Sequence, residues 1–127
     1  MYKRTLFQSF ILALVGLKYV LKTERNMKIH LAFATLAILA SIFLKISNLE
    51  FLFVIFAITI VLIAEAANTA FELLLDFVHG DKFHPDVKLL KDVAAGGVFI
   101  AALSAAAIGL LIFIPRIAPI VKRILGL

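Results

Sequence analysis

The sequence predicts an all-α membrane protein: a single domain over 1–127, with an N-terminal interfacial amphipathic helix followed by three transmembrane helices. Three observations predict it. The composition is 64% hydrophobic with a mean hydropathy of +1.12, and a soluble domain of this length has too high a surface-to-volume ratio to bury so much apolar surface. The apolar residues collect into long runs separated by short polar segments, as spans of about 20 residues require. Most of the thirteen Lys and Arg residues fall on one side of those runs, which orients the chain under the positive-inside rule.

Segment 1–27 is the interfacial helix. Its charge-free stretch, 5–17, is about 13 residues, too short to span alone. On a helical wheel Arg4, Lys18, Lys22 and Arg25 fall within roughly 60° of one another, an apolar body with a basic stripe that suits the headgroup region. A short extra span is the alternative. Thr23 stands before the next apolar run as a candidate N-cap. The first span is 29–46, short for the hydrocarbon, so Lys28 and Lys45 snorkel. His30 near its start reads as an interfacial hydrogen-bonder. A tight turn at 45–50 leads into the second span, 50–78, which at 1.5 Å per residue is about 42 Å long and exceeds the membrane core. The polar loop 79–90 contains Gly80 to end that helix and Pro85 to bar an uninterrupted one. The third span, 91–115, is rich in Ala and Gly, which let membrane helices pack closely. A basic, apolar tail, 116–127, follows Pro115.

Lys3, Arg4, Lys18, Lys22, Arg25 and Lys28 precede the first span, and Lys82, Lys88 and Lys91 lie in or beside the second loop. That side is predicted to be cytoplasmic, with the N-terminus, in a multi-pass membrane protein. The net charge of +5 and pI near 9.8 then describe attraction to an anionic lipid surface rather than to nucleic acid; a soluble polyanion such as a nucleotide is compatible. The absence of cysteine excludes disulfides, thiol nucleophiles and Cys-based metal sites. No small-residue cleavage site follows the apolar 7–17 stretch, so no cleavable signal peptide is expected.

The second span contains the feature that points to chemistry. With Glu65 at zero and about 100° per residue, Asn68 falls near −60°, Glu72 near −20° and Asp76 near +20°. Ionisable groups at membrane depth are costly and usually functional. A polar packing stripe gluing helices together is the bland reading; four such groups on one narrow stripe favour a site. Depth divides them, with Glu65 inside the membrane edge and Glu72 and Asp76 emerging toward water. The predicted topology brings Glu24, Lys91 and Asp92 to the same interface. Carboxylates from different helices suit Mg²⁺, which keeps waters and shares its ligands with phosphate oxygens. Lys91 can neutralise a phosphate, and phosphoryl transfer needs mainly positioning, metal and positive charge. Glu65 is the candidate general base for a hydroxyl. Two readings of other classes stand beside this one: a small proton-coupled transporter using Glu65, and a structural assembly subunit. No P-loop, glycine-rich nucleotide loop or protein-kinase motif is present.

The pattern Glu65-x-x-Asn68-Thr69-Ala70-x-Glu72-x-x-x-Asp76, followed by Lys91-Asp92-x-Ala94-Ala95-Gly96, resembles the signature of the prokaryotic diacylglycerol kinase family of small integral-membrane lipid kinases. Ser9-Phe10, Gly16-Leu17-Lys18-Tyr19 and Glu24-Arg25-Asn26 extend the resemblance over nearly the whole chain. Glu24-Arg25-Asn26, and His84-Pro85 ahead of Lys91-Asp92, look like the Gram-positive branch, whose members typically phosphorylate undecaprenol. The resemblance implies a bacterial plasma-membrane enzyme that transfers phosphate from ATP to undecaprenol, or to diacylglycerol as the alternative. It implies a homotrimer with sites formed between subunits. By residue it implies Glu65 as catalytic base and contact to the lipid hydroxyl, and Glu24 and Glu72 as ligands of Mg²⁺ and of the ATP phosphates. Lys91 and Asp92 become nucleotide contacts, joined by Lys82 and His84 in the loop. Asn68 and Asp76 become polar supports, and Asn26 and Ala95 face the lipid substrate. The charge-free 5–17 segment departs from many relatives, and no nucleotide contact is carried over from it.

Overall fold

The computed structural model describes residues 3–127; Met1 and Tyr2 of the expected interfacial segment lie outside the described residues. Four helices follow one another: α1 (Leu6–Thr23), α2 (Arg25–Phe43), α3 (Asn48–His79) and α4 (Pro85–Leu125). There is no strand among the described residues. All four helices are long and apolar enough to cross a membrane. The core is thin: its apolar part is mostly Ala and Val, such as Ala34, Val54, Val61, Val98 and Ala101, with Met27 and Ile112, while Phe33, Phe43, Phe53, Phe56, Phe99 and Leu111 are exposed. Exposed apolar surface on this scale is untenable in water and is what a lipid-facing bundle presents. The chain is a membrane protein.

The helix boundaries have local causes. A capping box starts α1: the Thr5 hydroxyl accepts from the Gln8 amide at 3.2 Å, and the Gln8 side chain accepts from the Thr5 amide at 2.9 Å, satisfying two donors that a helix N-terminus leaves unpaired. The break between α1 and α2 is one residue, Glu24, in extended conformation. Thr23 is therefore not the N-cap expected of it. It remains helical, and its hydroxyl turns back to the Tyr19 carbonyl at 2.9 Å. The predicted basic stripe is also interrupted, since Arg4 precedes α1 and Arg25 belongs to α2; only Lys18 and Lys22 share the α1 surface.

Ser47 caps α3 by accepting from the Glu50 amide at 3.2 Å, and Lys45 takes a positive φ of 50° in the preceding turn. Gly80 closes α3 with φ +78°, a conformation glycine adopts without a Cβ penalty. The following connection is much shorter than the polar 79–90 stretch. Pro85 is the first residue of α4, where its missing N–H costs nothing, so the helix is interrupted ahead of it, as expected, and restarts at the proline itself. At the other end α4 passes through Pro115 and Pro119 and continues to Leu125; the tail is helical, as membrane helices tolerate proline more readily than soluble ones.

The most extensive packing is α3 on α4, followed by α2 on α3, with α1 resting lightly on both. Ala101 is buried there. Gly96 and Gly97 are not used this way, because a Cβ on either would meet nothing within 4 Å. Near the turn that starts α3, Arg116 reaches Glu50 at 2.7 Å and ties that end of α3 to α4. The opposite end holds the polar stripe.

Candidate active site

Helical structure is continuous from Glu65 to Asp76, so the predicted stripe exists. Burial falls along it: Glu65 is 1% exposed and Asn68 is buried, Glu72 is half-buried, and Asp76 is exposed. The Asn68 amide donates to Glu72 Oε1 at 3.4 Å, one turn on. Thr69 is also buried and its hydroxyl donates to the Glu65 carbonyl at 3.0 Å.

A pocket of about 290 Å³ opens against this stripe. Asn26, Ile29 and His30 of α2, Glu65 and Asn68 of α3, and Ala95, Val98, Phe99 and Ala102 of α4 line it. Two residues expected to face a lipid substrate, Asn26 and Ala95, thus share a wall with Glu65. Within it, Glu65 Oε2 and Asn68 Oδ1 are buried acceptors without a hydrogen-bond donor. Orphaned buried acceptors are rare, and each calls for a partner. His30 Nε2 lies 3.6 Å from Glu65 Oε2. A second, larger groove of about 570 Å³ adjoins the pocket, with Ile29, His30 and Ala102 common to both. It runs between α2, α3 and α4 as far as Phe113 and Ile117, and apart from His30 its lining is apolar.

The other predicted residues take three positions. Glu24 occupies the α1–α2 break, half-buried, and makes no cap hydrogen bond with its side chain; its charge and that of Glu72 both act on Glu65. Lys91 Nζ sits 2.5 Å from Asp76 Oδ1 and joins α4 to the exposed end of the stripe. Asp92 pairs instead with Lys88 at 2.5 Å, within α4. His84 caps α4, its Nδ1 accepting from the Asp86 amide at 3.1 Å, and its ring meets the edge of His79 at 5.2 Å. Lys82 is exposed in the loop. Neither His84 nor Lys82 lines the Glu65 pocket.

Besides the apolar lining, two polar residues beside Glu65 escaped the sequence reading. Thr69 was visible as part of a motif, yet nothing in its spacing gave it a task. His30 was read as interfacial; its one signal was an ionisable ring inside an apolar run, and which helix it faced depended on packing.

No group of three or more His, Cys, Asp or Glu side chains closes on one point among the described residues. Mg²⁺ does not require such a cage, since it binds through one or two carboxylates and completes its shell with water and phosphate. Glu24 and Glu72 are half-buried carboxylates outside every ion pair among the described residues, so their oxygens are not committed to a basic side chain.

The profile of the prokaryotic diacylglycerol kinase family matches residues 11–113. The chain is 36% identical over 111 residues to an undecaprenol kinase of Bacillus subtilis, covering 87% of this chain and 89% of that protein. It is 33% identical over 110 residues to a diacylglycerol kinase of Synechocystis sp., covering 87% of this chain and 63% of that one. No solved structure matches it.

Proposed function

The chain belongs to the prokaryotic diacylglycerol kinase family, and from that premise we propose that it phosphorylates the hydroxyl of undecaprenol at the cytoplasmic face of a bacterial plasma membrane, with ATP as donor. One observation carries the reading. A buried carboxylate with an unpartnered oxygen, Glu65 Oε2, faces a small pocket that adjoins a long apolar groove. A lipid alcohol has that shape and chemistry: one O–H donor for the orphaned acceptors and a hydrocarbon chain for the groove.

Glu65 accepts the hydroxyl proton as the lipid oxygen bonds to the γ-phosphorus, and the bond from that phosphorus to the bridging oxygen breaks to release ADP. Asn68 supports the incoming hydroxyl through its free Oδ1 and holds Glu72 through its amide. Glu24 and Glu72 would hold Mg²⁺, which when bound would supply charge neutralisation on the transferring phosphoryl group. Lys91, steadied by Asp76, meets the phosphates. Asp92, Lys82 and His84 line the approach of the nucleotide, and Asn26 and Ala95 border the lipid. Burial of Glu65 excludes water, which would otherwise compete as acceptor.

The remaining parts of the proposal concern placement. α1 lies in the interface, with Lys18 and Lys22 toward anionic headgroups. The cytoplasmic side carries the N-terminus and the α3–α4 connection. The working unit is a homotrimer with sites between subunits. Diacylglycerol is the second reading, favoured by the Synechocystis relative. The deciding experiment is transfer of label from radiolabelled ATP in mixed micelles containing undecaprenol, diacylglycerol or ceramide. Undecaprenol is expected to have the highest kcat/KM. Preference for diacylglycerol would replace the substrate and leave the reaction class standing; no labelled lipid in any arm would overturn the reading.

A further inference from the structure

The reaction just proposed assigns no task to His30, yet among the described residues it is the one basic side chain within 4.0 Å of the buried carboxylate. Its Nε2 lies 3.6 Å from Glu65 Oε2, with the two side chains 19% and 1% exposed. That oxygen accepts no hydrogen bond. The other charges acting on Glu65 come from Glu24 and Glu72, which are acidic and repel it. With acidic neighbours repelling it and no hydrogen bond to Oε2, this carboxylate needs a further contact to fix its direction.

We propose that His30 is a positioning residue for the transfer: its ring, reaching across from α2, orients the Glu65 carboxylate toward the incoming hydroxyl. The separation is slightly long for a hydrogen bond, and contacts at reaction centres commonly tighten when substrate arrives. α2 also carries Asn26 one turn before His30 and follows directly on Glu24. Seating His30 on Glu65 therefore sets the register of the whole start of α2 against the stripe of α3. The same ring lines both the pocket and the apolar groove, where a lipid headgroup meets its chain.

The inference rests on Glu65 being the base, and the test separates the two. Wild type, His30→Ala, His30→Phe, His30→Gln and Glu65→Gln are compared in the mixed-micelle assay for kcat and for the KM of lipid alcohol and ATP, alongside unfolding midpoints in detergent. Misplacing a reacting group by about 1 Å costs up to about a hundredfold. Both His30→Ala and His30→Phe should therefore lose roughly ten- to a hundredfold in kcat, with each KM within about twofold and unfolding midpoints near wild type. His30→Gln, which retains an N–H donor, should recover most of the loss. Wild-type kcat in His30→Phe, or a glutamine variant no better than phenylalanine, overturns the positioning role. So does a kcat loss that tracks the unfolding midpoint. If those results accompany an inactive Glu65→Gln, only the role of His30 falls; an active Glu65→Gln removes the base and this proposal with it.

Discussion

Glu65→Gln is the perturbation that bears most directly on the proposed chemistry. Glutamine fills the same volume, so no cavity opens beside Thr69 or Ala102, and the helix is unaffected by exchange of two good helix formers. The structure identifies what is lost: a carboxylate at 1% exposure whose Oε2 accepts no hydrogen bond and has a histidine Nε2 3.6 Å away. Little stabilising interaction disappears with the charge, and a buried ionised group is itself costly. The unfolding midpoint in detergent should therefore stay at or above the wild-type value. The rate should behave differently. General-base catalysis contributes about 10²–10⁴-fold, equivalent to roughly 3–5 kcal/mol of barrier at 1.36 kcal/mol per decade. The assay is phosphoryl transfer from radiolabelled ATP to lipid alcohol at saturating substrates, with nucleotide binding followed separately by calorimetric titration. The expected result is a rate lowered by at least about a hundredfold with ATP affinity preserved. A variant retaining more than about a tenth of wild-type turnover would refute the base assignment. A variant that loses ATP binding in parallel would show that Glu65 serves the nucleotide and not the alcohol.

Three further substitutions probe other parts of the site. Glu72→Ala should weaken ATP binding about tenfold or more in the presence of Mg²⁺ and have little effect without it; equal affinities under both conditions would remove Glu72 from metal ligation. Ala102→Phe should block the junction that Ala102 shares between pocket and groove, raising the lipid KM severalfold while ATP binding is unchanged; an unaltered lipid KM would place the hydrocarbon chain elsewhere. Arg116→Ala breaks the 2.7 Å pair with Glu50, both side chains being about one-third exposed, and should cost no more than about 1 kcal/mol of stability. That pair is remote from Glu65, so a fall in kcat would indicate coupling along α3 that the geometry does not explain.

The fold was legible where composition and period act locally. Apolar runs beyond the capacity of a soluble core, punctuated by Ser47 and Gly80, specify helices in lipid without reference to neighbours, because each membrane helix satisfies its own backbone. The helical period alone put Glu65, Asn68, Glu72 and Asp76 on one stripe, and they are found there. Proline was only partly legible. Pro85 marks the interruption expected of it and opens α4, whereas Pro115, taken as the end of the third span, lies with Pro119 inside α4, since the consequence of a missing N–H depends on whether that donor was needed at its position.

What the sequence determined by itself is therefore a bundle of apolar helices with an acidic stripe near one end, and a motif that names a family. Packing decided the rest. Only the docking of α2 on α3 brings His30 to Glu65, and only the start of α4 against the end of α3 pairs Lys91 with Asp76 and leaves Asp92 to Lys88. The physical reason is that side-chain periodicity fixes which residues share a face of one helix, whereas contacts between helices depend on their rotation and offset. Those are set by the shape of every side chain along the interface at once.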